Sequence, residues 1–150
     1  MADLFYAAFP ENAIGGNTSG EGPMDLLSDA ITFILTTSTY TPNQTTHTVK
    51  ADVTNELTTS GGYTVGGKVL ASKTWAVSSL TTYFDAADLT WAALSQAHRN
   101  GVLFDDTPTS PADPLIGYHT NAADVNPGGN DLVYQWNNTG TPAIFSWAVA

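Results

Sequence analysis

The stretch from Leu35 to Leu70 constrains the fold most, because it alternates β-branched residues with residues that favour turns. Its turn signals are Pro42-Asn43, Gly61-Gly62 and Gly66-Gly67, and they divide the stretch into segments of strand length. β-branched residues fit the pleated surface of a sheet better than the interior of a helix. The stretch therefore predicts short strands joined by tight turns.

Segments of strand length continue to the end of the chain. In the first, Ile31, Phe33 and Leu35 alternate with Thr32, Ile34 and Thr36. The other predicted strands are Tyr63–Ser72, Thr74–Ser79, Thr81–Asp85, Leu89–Leu94, Gly101–Asp105, Leu115–His119, Asp131–Trp136 and a last strand that carries Phe145, Trp147 and Val149. About eight short strands with frequent turn signals predict an all-β fold, an antiparallel β-sandwich of jelly-roll or immunoglobulin-like Greek-key type.

The N-terminal residues 1–23 differ in composition from the rest and predict a flexible arm ahead of a single domain at 24–150. Four large apolar residues near the start, Leu4, Phe5, Tyr6 and Phe9, precede a segment rich in glycine. Aromatic side chains are costly to leave in water. They either fold back on the domain or dock on another subunit, and we take these four as candidate partner-contact residues.

Length, cysteine content and charge narrow the class of protein. A chain of 150 residues buries enough surface to fold as one domain without a stabilising disulfide or metal ion. It has no cysteine, so it lacks disulfides and thiolate nucleophiles and suits a reducing cytoplasm. Only four basic residues oppose fourteen acids, for a net charge of −10. Such a field repels a phosphate backbone, so we expect no nucleic-acid partner.

The hydropathy pattern also predicts no membrane partner. No apolar run approaches the ~20 residues that a membrane-spanning helix requires. The opening sequence MADLFYAAFPEN lacks the basic flank and long apolar core of a signal peptide.

The three histidines of the chain do not predict an active site. His47, His98 and His119 lie on separate predicted elements, without a His-x-His or His-Glu-x-x-His spacing. A metal or catalytic role would require them to converge in space. Structural histidines are the simpler interpretation.

Two groups of acidic residues offer alternatives that we weigh against ordinary turns. Asp105, Asp106 and Asp113 could supply oxygen ligands to Ca²⁺, but no EF-hand pattern surrounds them. Asp85 and Asp88 could form a glycosidase pair, yet two carboxylates three residues apart on one turn are poorly placed to flank a sugar bond. No nucleophile elbow, phosphate loop or dinucleotide fingerprint occurs. The sequence therefore predicts a non-enzymatic protein with no cofactor.

Aromatic residues leave one further alternative open, a carbohydrate-binding platform. Most of them occupy the apolar face of an alternating strand, where packing in the core is the default. The residues concerned are Trp75, Trp91, Trp136, Trp147, Tyr40, Tyr63, Tyr83, Tyr118 and Tyr134.

Six segments in order over residues 30–150 form a recognisable pattern: Leu35-Thr36-Thr37-Ser38 with Tyr40-Thr41-Pro42-Asn43, Asp52-Val53-Thr54-Asn55-Glu56, Gly62-Tyr63-Thr64-Val65-Gly66-Gly67, Phe84-Asp85-Ala86 with Leu89-Thr90-Trp91, Val102-Leu103-Phe104-Asp105-Asp106-Thr107, and Asp113-Pro114-Leu115-Ile116-Gly117-Tyr118. Together they resemble a family of small structural proteins encoded among the head and tail genes of tailed bacteriophages. The first 23 residues lie outside the shared pattern.

The resemblance implies a virion protein, namely a capsid decoration (cement) protein made in the host bacterial cytoplasm and bound to the capsid exterior. Its implied partners are the major capsid protein and further copies of itself, as a homotrimer near local three-fold axes. A tail, neck or fibre component is the alternative within the same family. No catalytic residue is carried across by the resemblance.

Overall fold

The structure is a computed structural model that describes residues 3–14, 24–136 and 144–148. Its elements are almost all strands, as the sequence predicts, with one short helix and one 3₁₀ turn at Lys50–Asp52. In chain order they are β1 (Asp3–Phe5), α1 (Phe9–Ile14), β2 (Ile31–Thr36), β3 (Lys68–Val69), β4 (Thr74–Ser78), β5 (Thr81–Asp85), β6 (Leu89–Leu94), β7 (His98–Asp105), β8 (Leu115–Val125), β9 (Asn130–Tyr134) and β10 (Phe145–Ala148).

The strands form three antiparallel sheets, which confirms the predicted all-β antiparallel class. The largest has the order β1-β8-β7-β2-β3, the second β10-β5-β4, and the third pairs β6 with β9. Apolar side chains from all three sheets meet in one cluster, the inner core. The five-stranded sheet thus provides one layer of a sandwich, and the two smaller sheets contribute to the opposing side.

Strand β2, which lies between β7 and β3, is buried on both of its faces. Ile31, Phe33 and Leu35 belong to the inner core, as their predicted alternation requires. The other face of β2 is also buried, because Thr32 and Ile34 are 2% and 0% exposed. There Ile34 joins a second apolar set, the outer cluster, whose buried members are Tyr6, Ile34, Tyr40, Val102, Phe104 and Leu115.

Among the predicted boundaries that differ from the structure, two differ by many residues, and for different reasons. The strand expected at Tyr63–Ser72 shrinks to β3, because Gly66 and Gly67 take positive φ angles of 95° and 70° and bend the chain. The strand predicted at Leu115–His119 ends only at Val125, because β8 runs on for six residues beyond His119. Its polar residues are held by backbone pairing with β7, so hydropathy does not reveal the strand.

Candidate functional site

The N-terminal residues that we took as partner contacts fold back on the domain. β1 pairs with β8, with Leu4 opposite Tyr118. Tyr6 and Phe9 are both 0% exposed, and the Tyr6 hydroxyl lies 2.9 Å from the hydroxyl of Tyr40. Of the four candidates, Leu4 is the exposed one, at 44%. Residues 3–14 therefore belong to the folded domain, which differs from the arm predicted for residues 1–23; residues 15–23 lie outside the described part.

Asn100, in the middle of β7, is a buried polar residue with every hydrogen-bonding atom satisfied. Its amide nitrogen donates to Thr36 Oγ1 at 3.0 Å and to the carbonyl oxygens of Thr37 at 3.2 Å and Tyr40 at 3.0 Å. Its Oδ1 accepts from Thr120 Oγ1 at 2.9 Å. Asn100 thus joins β2, β8 and the segment after β2, which is a structural role.

His98, at the start of the same strand, contrasts with Asn100. It is 1% exposed, and within the described residues its Nδ1 has no hydrogen-bond partner. The pKa of His98 is lowered to about 4, chiefly by burial and in addition by His119, while Asp124 opposes the shift. Because burial disfavours the imidazolium, the ring is neutral near pH 7.

A shallow groove of about 170 Å³ lies beside His98. Its lining residues are His98, His119, Asn121, Val125, Leu132, Val133, Tyr134 and Gln135. His119 Nε2 lies 3.1 Å from Asn121 Oδ1, and the Asn121 amide donates to the carbonyl of Arg99 at 3.1 Å. Two histidines therefore come close together, which their spacing in the sequence does not reveal, and this polar arrangement supplies hydrogen bonds rather than a nucleophile.

Asp105, at the end of β7, is the second buried group that titrates. Its Oδ1 accepts the Thr107 N–H at 3.0 Å, while its Oδ2 finds no donor in the described part of the chain. Burial raises the pKa of Asp105 to about 7, and the neighbouring carboxyl of Asp29 raises it as well. Because burial and a neighbouring carboxyl both disfavour its charged form, Asp105 retains its proton well above pH 4.

The three aspartates considered for Ca²⁺ do not converge. Asp105 lies beside Asp29, whereas Asp106 lies beside Asp113, and burial together with Asp106 raises the pKa of Asp113. Among the residues that the structure describes, no group of three or more His, Asp or Glu side chains is placed to hold a metal ion.

The remaining candidate residues have structural contacts. The Tyr40 hydroxyl lies 3.0 Å from His47 Nδ1. Asp85 pairs with Thr74 at the base of a hairpin, and Asp88 accepts the Trp136 N–H at 3.3 Å.

The aromatic residues mostly confirm the core interpretation. Trp91 is 1% exposed, and Tyr40, Tyr63 and Tyr134 are buried. Trp75 and Trp136 are half-buried and pack against the inner core; the side chain of Trp147 lies outside the described part. The described tryptophans thus serve mainly as packing residues, as their strand positions predict.

The exposed apolar side chains of the hairpin formed by β4 and β5 are the feature that sequence reasoning missed. Its two-residue loop is Ser79-Leu80, and Val77 and Leu80 are 73% and 67% exposed. Residues 74–84 include no charged side chain. A signal was therefore present in the sequence: an uncharged strand pair with an apolar residue in its turn. Exposed apolar side chains of this kind mark surfaces that contact other proteins.

Comparisons with family models, with curated proteins and with solved structures find no match to this chain. In the described residues, no helix has the length and hydropathy needed to cross a membrane.

Proposed function

We propose that this protein is a non-enzymatic structural component of a tailed-bacteriophage virion, a capsid decoration protein that binds the outer head surface and bridges major capsid subunits. The observation that carries the proposal is the ordered resemblance of six segments over residues 30–150. The same family includes tail, neck and fibre components, and a different position on the virion is therefore the competing assignment.

The locations of these segments support a shared scaffold rather than a shared reactive site. The segment from Leu35 ends β2, the one from Val102 lies in β7, and the one from Asp113 enters β8. These are the three central strands of the five-stranded sheet. Residues that recur in this pattern contribute to the buried layers on both sides of that sheet, as expected when a family retains its fold and varies its contacts.

Charge and exposed apolar residues indicate the kind of partner that a decoration protein of this chain would bind. The net charge is −10, and two of the four basic residues are neutralised by ion pairs, Lys50 with Glu56 and Arg99 with Asp124. Large apolar side chains are exposed at several strands and turns, among them Leu27, Val65 and Val69. A capsid surface with basic residues around apolar patches would complement this composition.

Immunogold labelling of purified virions of the phage that encodes this chain tests the proposal. We expect label distributed over the whole head shell. Label confined to the tail or neck would replace decoration by the competing assignment, and virions without label would refute the virion role altogether. A glycan array at moderate salt is the control for carbohydrate binding; binding that drops on substitution of Trp136 would favour that function instead.

A further inference from the structure

A single Asp-Pro peptide bond occurs in the chain, between Asp113 and Pro114, just before β8 begins. Such a bond is easier to break than other peptide bonds for two chemical reasons. The aspartate carboxyl can reach the carbonyl carbon of its own residue by closing a ring of five atoms. The proline nitrogen belongs to a tertiary amide, and it accepts a proton more readily when it leaves. The surroundings of this bond therefore determine how fast it breaks.

The carbonyl group of Asp113 is held and polarised by the main chain. Its oxygen accepts the Lys50 N–H at 2.8 Å. On the other side of the bond, Pro114 forms an antiparallel bridge with Val49. The carbonyl oxygen is therefore fixed against a donor. A fixed N–H at this position stabilises the negative charge that develops on the oxygen when a nucleophile attacks the carbonyl carbon.

The backbone of Asp113 is strained. Its φ angle is 52°, whereas the residue before a proline favours an extended conformation with φ near about −120°. A residue other than glycine adopts the left-handed region rarely, and surrounding contacts must hold it there. Cleavage separates Asp113 from the proline ring and so removes the conflict. The strain therefore raises the free energy of the intact bond relative to the cleaved product.

The surroundings of the Asp113 side chain favour its protonated form. Burial is the main cause of its raised pKa, and the neighbouring carboxyl of Asp106 adds to it, while the Lys50 ammonium opposes the shift. Cleavage of an Asp-Pro bond requires one proton, which the carboxyl releases and the proline nitrogen takes up. The raised pKa keeps this proton on Asp113 at a higher pH than in an unfolded chain.

We propose that the folded protein cleaves its own chain between Asp113 and Pro114 under mildly acidic conditions. A carboxyl oxygen of Asp113 attacks the main-chain carbonyl carbon of the same residue and forms a C–O bond, which closes a five-membered cyclic anhydride. The C–N bond breaks, and the proline nitrogen leaves as a secondary amine with the proton that the carboxyl releases. Water then opens the anhydride, and Asp113 ends with a free α-carboxyl group.

The two fragments should remain together in one fold. β8 follows the cleaved bond, and it pairs with β7 and β1, which precede the bond. Leu115 and Ile116 are 0% and 1% exposed, and they belong to the outer cluster and the inner core respectively. Sheet pairing and apolar packing therefore keep the C-terminal fragment bound. Cleavage does not depend on the proposed virion role.

Comparison of the folded wild-type protein with the same protein unfolded in urea tests the proposal, because any Asp-Pro bond breaks slowly in acid. Both samples are incubated at pH 5, circular dichroism verifies their folded and unfolded states, and mass spectrometry follows the fragments 1–113 and 114–150. We expect cleavage about 10-fold faster in the folded protein. Asp113→Asn keeps a residue that tolerates the same φ and should stay intact. Equal or slower cleavage in the folded protein, or no cleavage, would overturn the proposal.

Two substitutions of Lys50 isolate the contribution of its backbone N–H. Lys50 begins a 3₁₀ turn after the extended residue Val49, a position that proline tolerates. Lys50→Pro removes both the N–H and the charge, whereas Lys50→Ala, the matched control, removes the charge alone. We expect cleavage about 10-fold slower in Lys50→Pro than in Lys50→Ala. Equal rates in the two folded variants would contradict a carbonyl activated by this donor.

Discussion

The five-stranded sheet and the β4–β5 hairpin differ in how their strands meet solvent. All six residues of β2 are buried, by the inner core on one face and the outer cluster on the other. In β4, every residue except Trp75 is exposed. Burial of apolar surface supplies most of the stability of a domain. We infer that folding stability resides mainly in the layers around the five-stranded sheet and that the β4–β5 hairpin contributes less to it.

We expect the largest change in the free energy of unfolding from a substitution in the N-terminal segment, which is part of the buried region. Phe9 is fully buried and stacks on Phe5, with ring centroids 5.2 Å apart. Phe9→Ala should lower the free energy of unfolding by about 3–5 kcal/mol, because it removes packed apolar surface and leaves a cavity. Urea denaturation measures the change, with the exposed Leu4→Ala as the control. A cost below about 1 kcal/mol would show that the segment is not part of the core.

A second prediction concerns pH and Asp105. Its pKa is raised from 3.8 to about 7, so the folded state binds this proton more tightly than the unfolded state. The resulting stability is complete below pH 4 and is lost as the pH rises through 7. Asp105→Asn keeps a neutral side chain. Relative to wild type, the free energy of unfolding of Asp105→Asn should therefore rise by up to about 1.4 kcal/mol for each pH unit between pH 4 and pH 7.

Urea denaturation of both proteins from pH 4 to pH 8 isolates this effect. The lowered pKa of His98 acts in the opposite direction, since stability is lost as the pH falls from 6.5 toward 4. That loss occurs in both proteins and cancels in their difference. A constant difference across the pH range would contradict the raised pKa of Asp105.

Replacing Asn100 by alanine should lower the free energy of unfolding by a smaller amount. Asn100→Ala leaves the carbonyl oxygens of Thr37 and Tyr40 without their side-chain donor. Buried acceptors that lose a donor cost about 1–3 kcal/mol. The matched control is Asn126→Ala, at an exposed turn. Equal unfolding midpoints for the two variants would show that the Asn100 bonds contribute nothing.

The hairpin should give the smallest change in stability. Val77→Thr keeps a β-branched residue at a 73% exposed position, and exposed substitutions usually change the unfolding free energy by less than about 0.5 kcal/mol. Thermal denaturation at a concentration low enough to keep the protein monomeric measures the effect. A loss of more than about 1 kcal/mol would place the hairpin among the elements that stabilise the fold.

Strand alternation predicts much of the fold. The bounds of β5 and β6 match their predicted ranges, because residues of alternating polarity mark them at both ends. β7 begins three residues earlier than predicted, at His98, where polar residues are buried by tertiary contacts. Sequence alone left open whether the N-terminal aromatic residues would dock on this domain or on a partner, because both arrangements bury the same side chains.

The shifted pKa values of two residues in β7 likewise arise from tertiary contacts. His98 and Asp105 acquire shifted pKa values from burial and from neighbours distant in sequence, such as Asp29 beside Asp105. The hairpin is different, since its lack of charge is visible in the sequence. What the sequence withholds is the position of β4 at the end of the order β10-β5-β4, because that depends on which strands pair with β5.

Hydrogen exchange followed by mass spectrometry tests this difference between the two regions most directly. We predict that the amides of β2 exchange more slowly than those of β4, because β2 is buried along its whole length and β4 is mostly exposed. Exchange in β2 as fast as in β4 would contradict the account.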